Sequence, residues 1–120
     1  WKVVFGHHPM RSHSKRAYNR DLIARLEPLL VEHGVRLYMA GHDHLLELLK
    51  PIHGVYHLVS GAAAGASKAH PARWTNLSHF VATGDGFVWL RLARDELVIE
   101  FCRLGGVTQY AHVITKREGS

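Results

Sequence analysis

Two short runs of β-branched and aromatic residues, Lys2-Val3-Val4-Phe5 and Val35-Arg36-Leu37-Tyr38-Met39-Ala40, flank a stretch with helical periodicity. Within it Leu22, Ile23, Leu26, Leu29 and Leu30 recur at the spacing of one helix face. Asn19 suits the N-cap and Gly34 the residue just past the helix, while Pro28 removes a backbone donor and is expected to kink it. A strand, a crossover of helix length and a second strand form a right-handed βαβ unit with parallel strands. Parallel strands end at the same edge of their sheet, and open α/β sheets bind ligands beyond that edge. Each strand here runs into a histidine cluster, Gly6-His7-His8-Pro9 after the first and Gly41-His42-Asp43-His44 after the second. The topology therefore predicts that both clusters belong to one site.

Past His44 the pattern changes. Residues 45–50 and 55–60 are apolar runs separated by Pro51-Ile52-His53-Gly54, which predicts a hairpin. A Gly/Ala/Ser-rich segment over 61–86 is expected to be an irregular excursion. Residues 87–93, 96–102 and 107–114, divided by Arg94-Asp95 and Gly105-Gly106, read as an antiparallel meander. The expected fold class is α/β (α+β), a βαβ unit followed by mostly antiparallel strands. No repeat, linker or second domain interrupts residues 1–120.

The balance of 47% hydrophobic and 21% charged residues is that of a globular chain. No apolar run reaches the length of about 18 residues that a membrane-spanning helix needs. A single cysteine, Cys102, excludes an internal disulfide and a cysteine-rich zinc module. Eleven histidines are unusual, and a formal charge of +5 favours anionic partners.

Neutral imidazole is the commonest protein ligand for transition metals. In an extended chain His42 and His44 lie on one side while Asp43 points away. Between the clusters Arg11, Lys15, Arg16 and Arg20 concentrate positive charge beside His13. That loop is read either as a phosphate-attracting element or as a solvated basic surface. His79 is a candidate for the same edge, with a structural role as its alternative. His33, His53, His57, His70 and His112 are expected to be surface or structural, and Trp1, Trp74 and Trp89 to pack.

The segments Val3-Val4-Phe5-Gly6-His7-His8-Pro9 and Tyr38-Met39-Ala40-Gly41-His42-Asp43-His44 resemble the last two signature blocks of the calcineurin-like metallophosphoesterases. The likeness is greatest to the purple acid phosphatase (tartrate-resistant acid phosphatase-like) branch, and it continues through residues 56–65 and 86–92. It implies a four-layer αββα sandwich of which this chain is the carboxyl-terminal half. By position, His7 and His42 would hold one ion of a dinuclear iron, zinc or manganese centre and His44 the other. His13 would protonate the departing alcohol of a phosphate ester, and His8 and Arg11 would contact the substrate. His8 takes a position that is often aromatic in such proteins.

A dinuclear hydrolase also needs carboxylates to bridge and neutralise its ions. The family takes them from earlier sequence blocks that are not present here. Asp21, Asp43, Asp85 and Asp95 do not recreate them. Together with a start at Trp1 directly on strand-like residues, this leads to the expectation of a partial domain, completed by an N-terminal half and inactive alone. The branch is commonly exported, which favours a secreted or periplasmic setting. An alternative is a non-catalytic basic α/β module that binds nucleic acid or other phosphates, although the basic residues form no stripe and no nucleic-acid motif is present. A third reading is an autonomous mononuclear metal hydrolase.

Overall fold

A computed structural model of the chain describes residues 1–14, 18–63 and 76–116. Strand β1 (Val3–Phe5) leads to two short helices, α1 (Arg20–Arg25) and α2 (Glu27–Glu32), and back to β2 (Leu37–Ala40). The predicted hairpin is β3 (Leu46–Ile52) and β4 (Val55–Ser60); after it come β5 (Ser78–Ala82), β6 (Gly86–Leu92), β7 (Glu96–Arg103) and β8 (Thr108–Thr115). The first five strands form one sheet in the order β1-β2-β4-β3-β5, and the last three form a second in the order β6-β7-β8. The first sheet is mixed: β1, β2 and β4 run parallel, while β3 pairs antiparallel with both β4 and β5. The second is the expected meander.

Local chemistry accounts for the helical pair. Asn19 accepts the Leu22 amide with its side chain, and Gly34, at φ +65°, closes the far end. Pro28 stands in the first turn of α2, where its missing N–H costs nothing, so the kink expected there is a break between two helices. Two further differences concern strands. Strand β3 runs through Pro51, at the irregularity where its register with β4 shifts, a position that spares a ladder donor. The excursion expected over 61–86 includes β5, whose edge pairing with β3 outweighs its polar start. Residues 64–75 of that excursion, Trp74 and His70 among them, lie outside the described residues.

The period-two alternation of the strands feeds two cores. Leu37, Leu46, Leu48, Tyr56 and Leu58 meet Leu97, Ile99, Phe101 and Ile114 between the sheets. On the other face Tyr38, Ala40 and Val55 pack against Met10, Leu30 and the partly buried Leu22, Ile23 and Leu26. The layers are thus helix, five-stranded sheet and three-stranded sheet. Phe87, Trp89 and Val113 are exposed on the second sheet, while Trp1 donates its indole N–H to the Ala93 carbonyl at 2.7 Å.

His57, on β4 one residue from Tyr56 and Leu58, faces the helical layer beside Tyr38, with ring centroids 6.1 Å apart. It is 2% exposed, and neither ring nitrogen has a hydrogen-bond partner. Burial, with a smaller contribution from Arg11, pulls its pKa from 6.5 to about 4, against the weaker opposing pull of Glu27. Unfolded His57 takes up a proton near pH 6.5 and folded His57 only near 4, so the stability tied to neutral His57 is fully present above pH 6.5. It is lost as pH falls through that window, by an amount on the order of 3 kcal/mol. Urea unfolding at pH 7.5 and pH 4.5 should show that loss, and His57→Leu should remove most of it.

Candidate functional site

The site begins with the backbone. The parallel pairing of β1 with β2 continues past both strand ends: Gly6 N–H donates to the Met39 carbonyl, and Gly41 N–H donates to the His7 carbonyl, each at 3.0 Å. Tyr38 reaches across from β2 and donates its hydroxyl to the His8 carbonyl at 2.7 Å. Gly6 makes room for it, since a Cβ there would stand 2.8 Å from the tyrosine oxygen. The histidine loops are therefore stitched together before their side chains are considered.

The rings follow. His42 Nδ1 lies 3.0 Å from His7 Nε2. The His8 ring centroid is 4.8 Å from that of His7 and 4.3 Å from that of His42. One potential ligand atom from each of His7, His8 and His42 lies within 4.8 Å of the other two, and the group contains no carboxylate. His42 has φ +61°, a left-handed conformation that side-chain-bearing residues seldom adopt and that costs energy. The expectation of an extended His42-x-His44 pair is not met: strand β2 stops at Ala40, residues 42–45 form a bend, and His44 is exposed and outside the three-ring group. For a single ion of a borderline-soft metal, imidazole donors without carboxylate are a suitable set; for two adjacent ions they are incomplete.

Asp43 does point away from the rings, into a buried polar network. Its carboxylate accepts from the hydroxyls of Ser12 and Ser14. Its backbone is held against the end of β4, where only a glycine fits: a Cβ on Gly61 would fall 2.0 Å from the Asp43 carbonyl oxygen. Glu47, on β3 and 0% exposed, accepts the His13 amide at 2.9 Å and the Ser78 hydroxyl at 2.7 Å and pairs with the His13 ring. His13 is itself 8% exposed. Two carboxylates, Asp43 from the β2–β3 connection and Glu47 from β3, thus hold the loop after Pro9 from beneath. A lone glutamate inside the apolar run Leu45-Leu46-Glu47-Leu48-Leu49 was the sequence signal for this, since a fully buried carboxylate requires partners.

Arg11 is engaged as well. Its guanidinium grips Glu27 with two bonds of 2.8 and 3.0 Å, and these hold the Glu27 carboxyl below its usual pKa. Lys15 and Arg16 lie outside the described residues. Arg20 is exposed and, with Tyr18, Asn19, His8, Pro9 and His42, lines an open cleft of about 410 Å³ beside the rings. His79 joins a three-ring cluster, stacked on Tyr56 at 6.1 Å and tilted against His112 at 4.4 Å, and so takes its structural alternative. Glu47→Ala, which strands the His13 ring and amide in a dry setting, should cost about 3 kcal/mol in denaturant unfolding.

No protein-family model matches the chain. Purple acid phosphatase 17 of Arabidopsis thaliana is 34% identical over 121 residues, covering 98% of this chain and 36% of that protein. Tartrate-resistant acid phosphatase type 5 of Oryctolagus cuniculus is 30% identical over 122 residues, covering 96% of this chain and 38% of that protein. The chain therefore spans little more than a third of the length of these relatives. Among solved structures, GAP50, the anchor in the inner membrane complex of Plasmodium, superposes with a TM-score of 0.87 at 24% identity, over 98% of this chain and 38% of that one. Purple acid phosphatase PPD1 from yellow lupin (Lupinus luteus) seeds superposes with a TM-score of 0.81 at 20% identity, over 96% of this chain and 25% of that one. The chain is homologous to part of the purple and tartrate-resistant acid phosphatases and has the corresponding portion of their fold.

Proposed function

We propose, from this homology with a part of the acid phosphatases, that the chain supplies the histidine ligands of a metal-dependent phosphoesterase. In this reading it is one partial domain, with the carboxylates of a dinuclear centre coming from a preceding half. The observation that carries the proposal is the meeting of His7 and His42 across the Gly41–His7 backbone bond, with the ring nitrogens 3.0 Å apart. The apolar Phe87, Trp89 and Val113 on the outer face of the second sheet also suit a sandwich with a further layer.

His7 and His42 would hold one ion and the exposed His44 the other, with iron, zinc or manganese as candidates. When bound, such ions supply Lewis-acid polarisation of a phosphoryl oxygen and acidify a water. The other residues bind and orient. Arg20, at the cleft beside the rings, draws the ester's phosphate towards them. His8 walls that cleft. Arg11 acts through Glu27, bracing the loop against α2 and not reaching substrate in this geometry. His13 was expected to protonate the departing alcohol; with its ring against Glu47 and Ser78, the role that fits its burial is to anchor the loop.

The test is hydrolysis of p-nitrophenyl phosphate, with metal content by elemental analysis, for this chain and for a polypeptide in which an N-terminal phosphoesterase half precedes it. The joined protein should turn over and the chain alone should not. Losing a group that only orients a metal ligand already costs about 10- to 100-fold, so His42→Ala in the joined protein should lower both turnover and metal content by at least about a hundredfold. Unchanged metal content would refute the ligand assignment. Phosphate or nucleic-acid binding that is indifferent to metal would favour the non-catalytic module.

A further inference from the structure

We propose that His8 is a third metal-coordinating imidazole, so that His7, His8 and His42 form a single-ion site that this chain builds by itself. The inference rests on the reading of this sheet edge as a metal site and deepens it, because the family resemblance gives His8 only a place beside the substrate.

Geometry is the ground for it. Ligand nitrogens placed about 2.0–2.1 Å from a tetrahedral zinc ion lie about 3.3 Å from one another. The His7 and His42 nitrogens already approach to 3.0 Å, and all three candidate atoms fall within 4.8 Å of one another. His7 and His8 are exposed and His42 half-buried, so a small turn of a ring closes the remaining gap without repacking a core. The backbones are less free than the rings. Pro9 biases His8 to extended conformations, Tyr38 holds its carbonyl, and His42 is kept in the left-handed region. Such strain is expected where a side chain must be aimed at one point.

The donor set fixes the class of ion. Imidazole without carboxylate suits zinc, copper and nickel and disfavours magnesium and calcium. Three neutral ligands would leave an ion's full charge in place beside the cleft, which Arg20 lines together with Asp43, whose carboxylate is engaged by Ser12 and Ser14. An oxyanion is the matching ligand. His44 has no part in this site.

Zinc titration of the full 120-residue chain, monitored by calorimetry, and cobalt substitution, monitored by visible absorption, test it. Wild type should bind one equivalent and give the intense band of low-coordinate cobalt. His8→Phe, which keeps an aromatic ring and removes the nitrogens, should weaken zinc binding by at least about a hundredfold and lose that band. His33→Ala, at an exposed imidazole at the end of α2, should leave both unchanged, with far-ultraviolet circular dichroism showing that both variants fold. Binding by His8→Phe equal to wild type overturns the assignment of His8 while leaving a metal site at this edge. Absence of saturable binding in wild type overturns a site that this chain builds by itself; the reading on which it rests falls only if the joined protein carries no metal either.

Discussion

The parallel ladder between β1 and β2, carried one bond past the ends of both strands by the Gly41 amide and the His7 carbonyl, is the contact on which the rest of the site depends. A parallel pair needs a covered crossover, and α1 and α2 provide the apolar stripe that buries one face of the sheet. The second sheet covers the opposite face. With both faces closed, the strand ends at that edge are the place where polar residues from separate parts of the chain converge, and the histidines stand there.

Beneath the rings the chain spends buried charge to hold a loop. Asp43 and Glu47 are nearly or wholly excluded from solvent, and each is satisfied by groups of the segment 12–14, with Ser78 of β5 as a further partner of Glu47. A network of this kind is costly if any member is missing and rigid if all are present. It explains why the two residues of the loop that looked most catalytic, Arg11 and His13, are committed inward, leaving exposed Arg20, among the described residues, as the cation lining the cleft.

Much of the architecture was legible because its signals are periodic. The strand residues of β1 and β2, the 3.6-residue stripe across α1 and α2, and the turn residues of the hairpin and meander each have a local physical cause, and the structure forms them where those causes lie. Strand β5 was not legible, since Ser78–Ala82 becomes a strand by pairing with β3 and its own sequence is indifferent. At the site, the convergence of His7 and His42 followed from topology alone. The three-ring group with His8 did not, because the left-handed turn at His42 breaks the extended geometry from which the His42–His44 pairing was argued. The commitments of Arg11 to Glu27 and of His13 to Glu47 join residues far apart in sequence; the lone Glu47 in its apolar run signals that it needs a partner, and no local pattern says which.

The Glu47–His13 clamp bears on how portable such a histidine edge is. Grafting the two Gly-His segments onto another α/β scaffold would transfer the imidazoles but not the floor under them. That floor is a carboxylate on the antiparallel strand β3, a serine on β5 beyond it, and a side-chain-free position at Gly61 where two backbones touch. A recipient lacking those three would present the same rings on an unsupported loop.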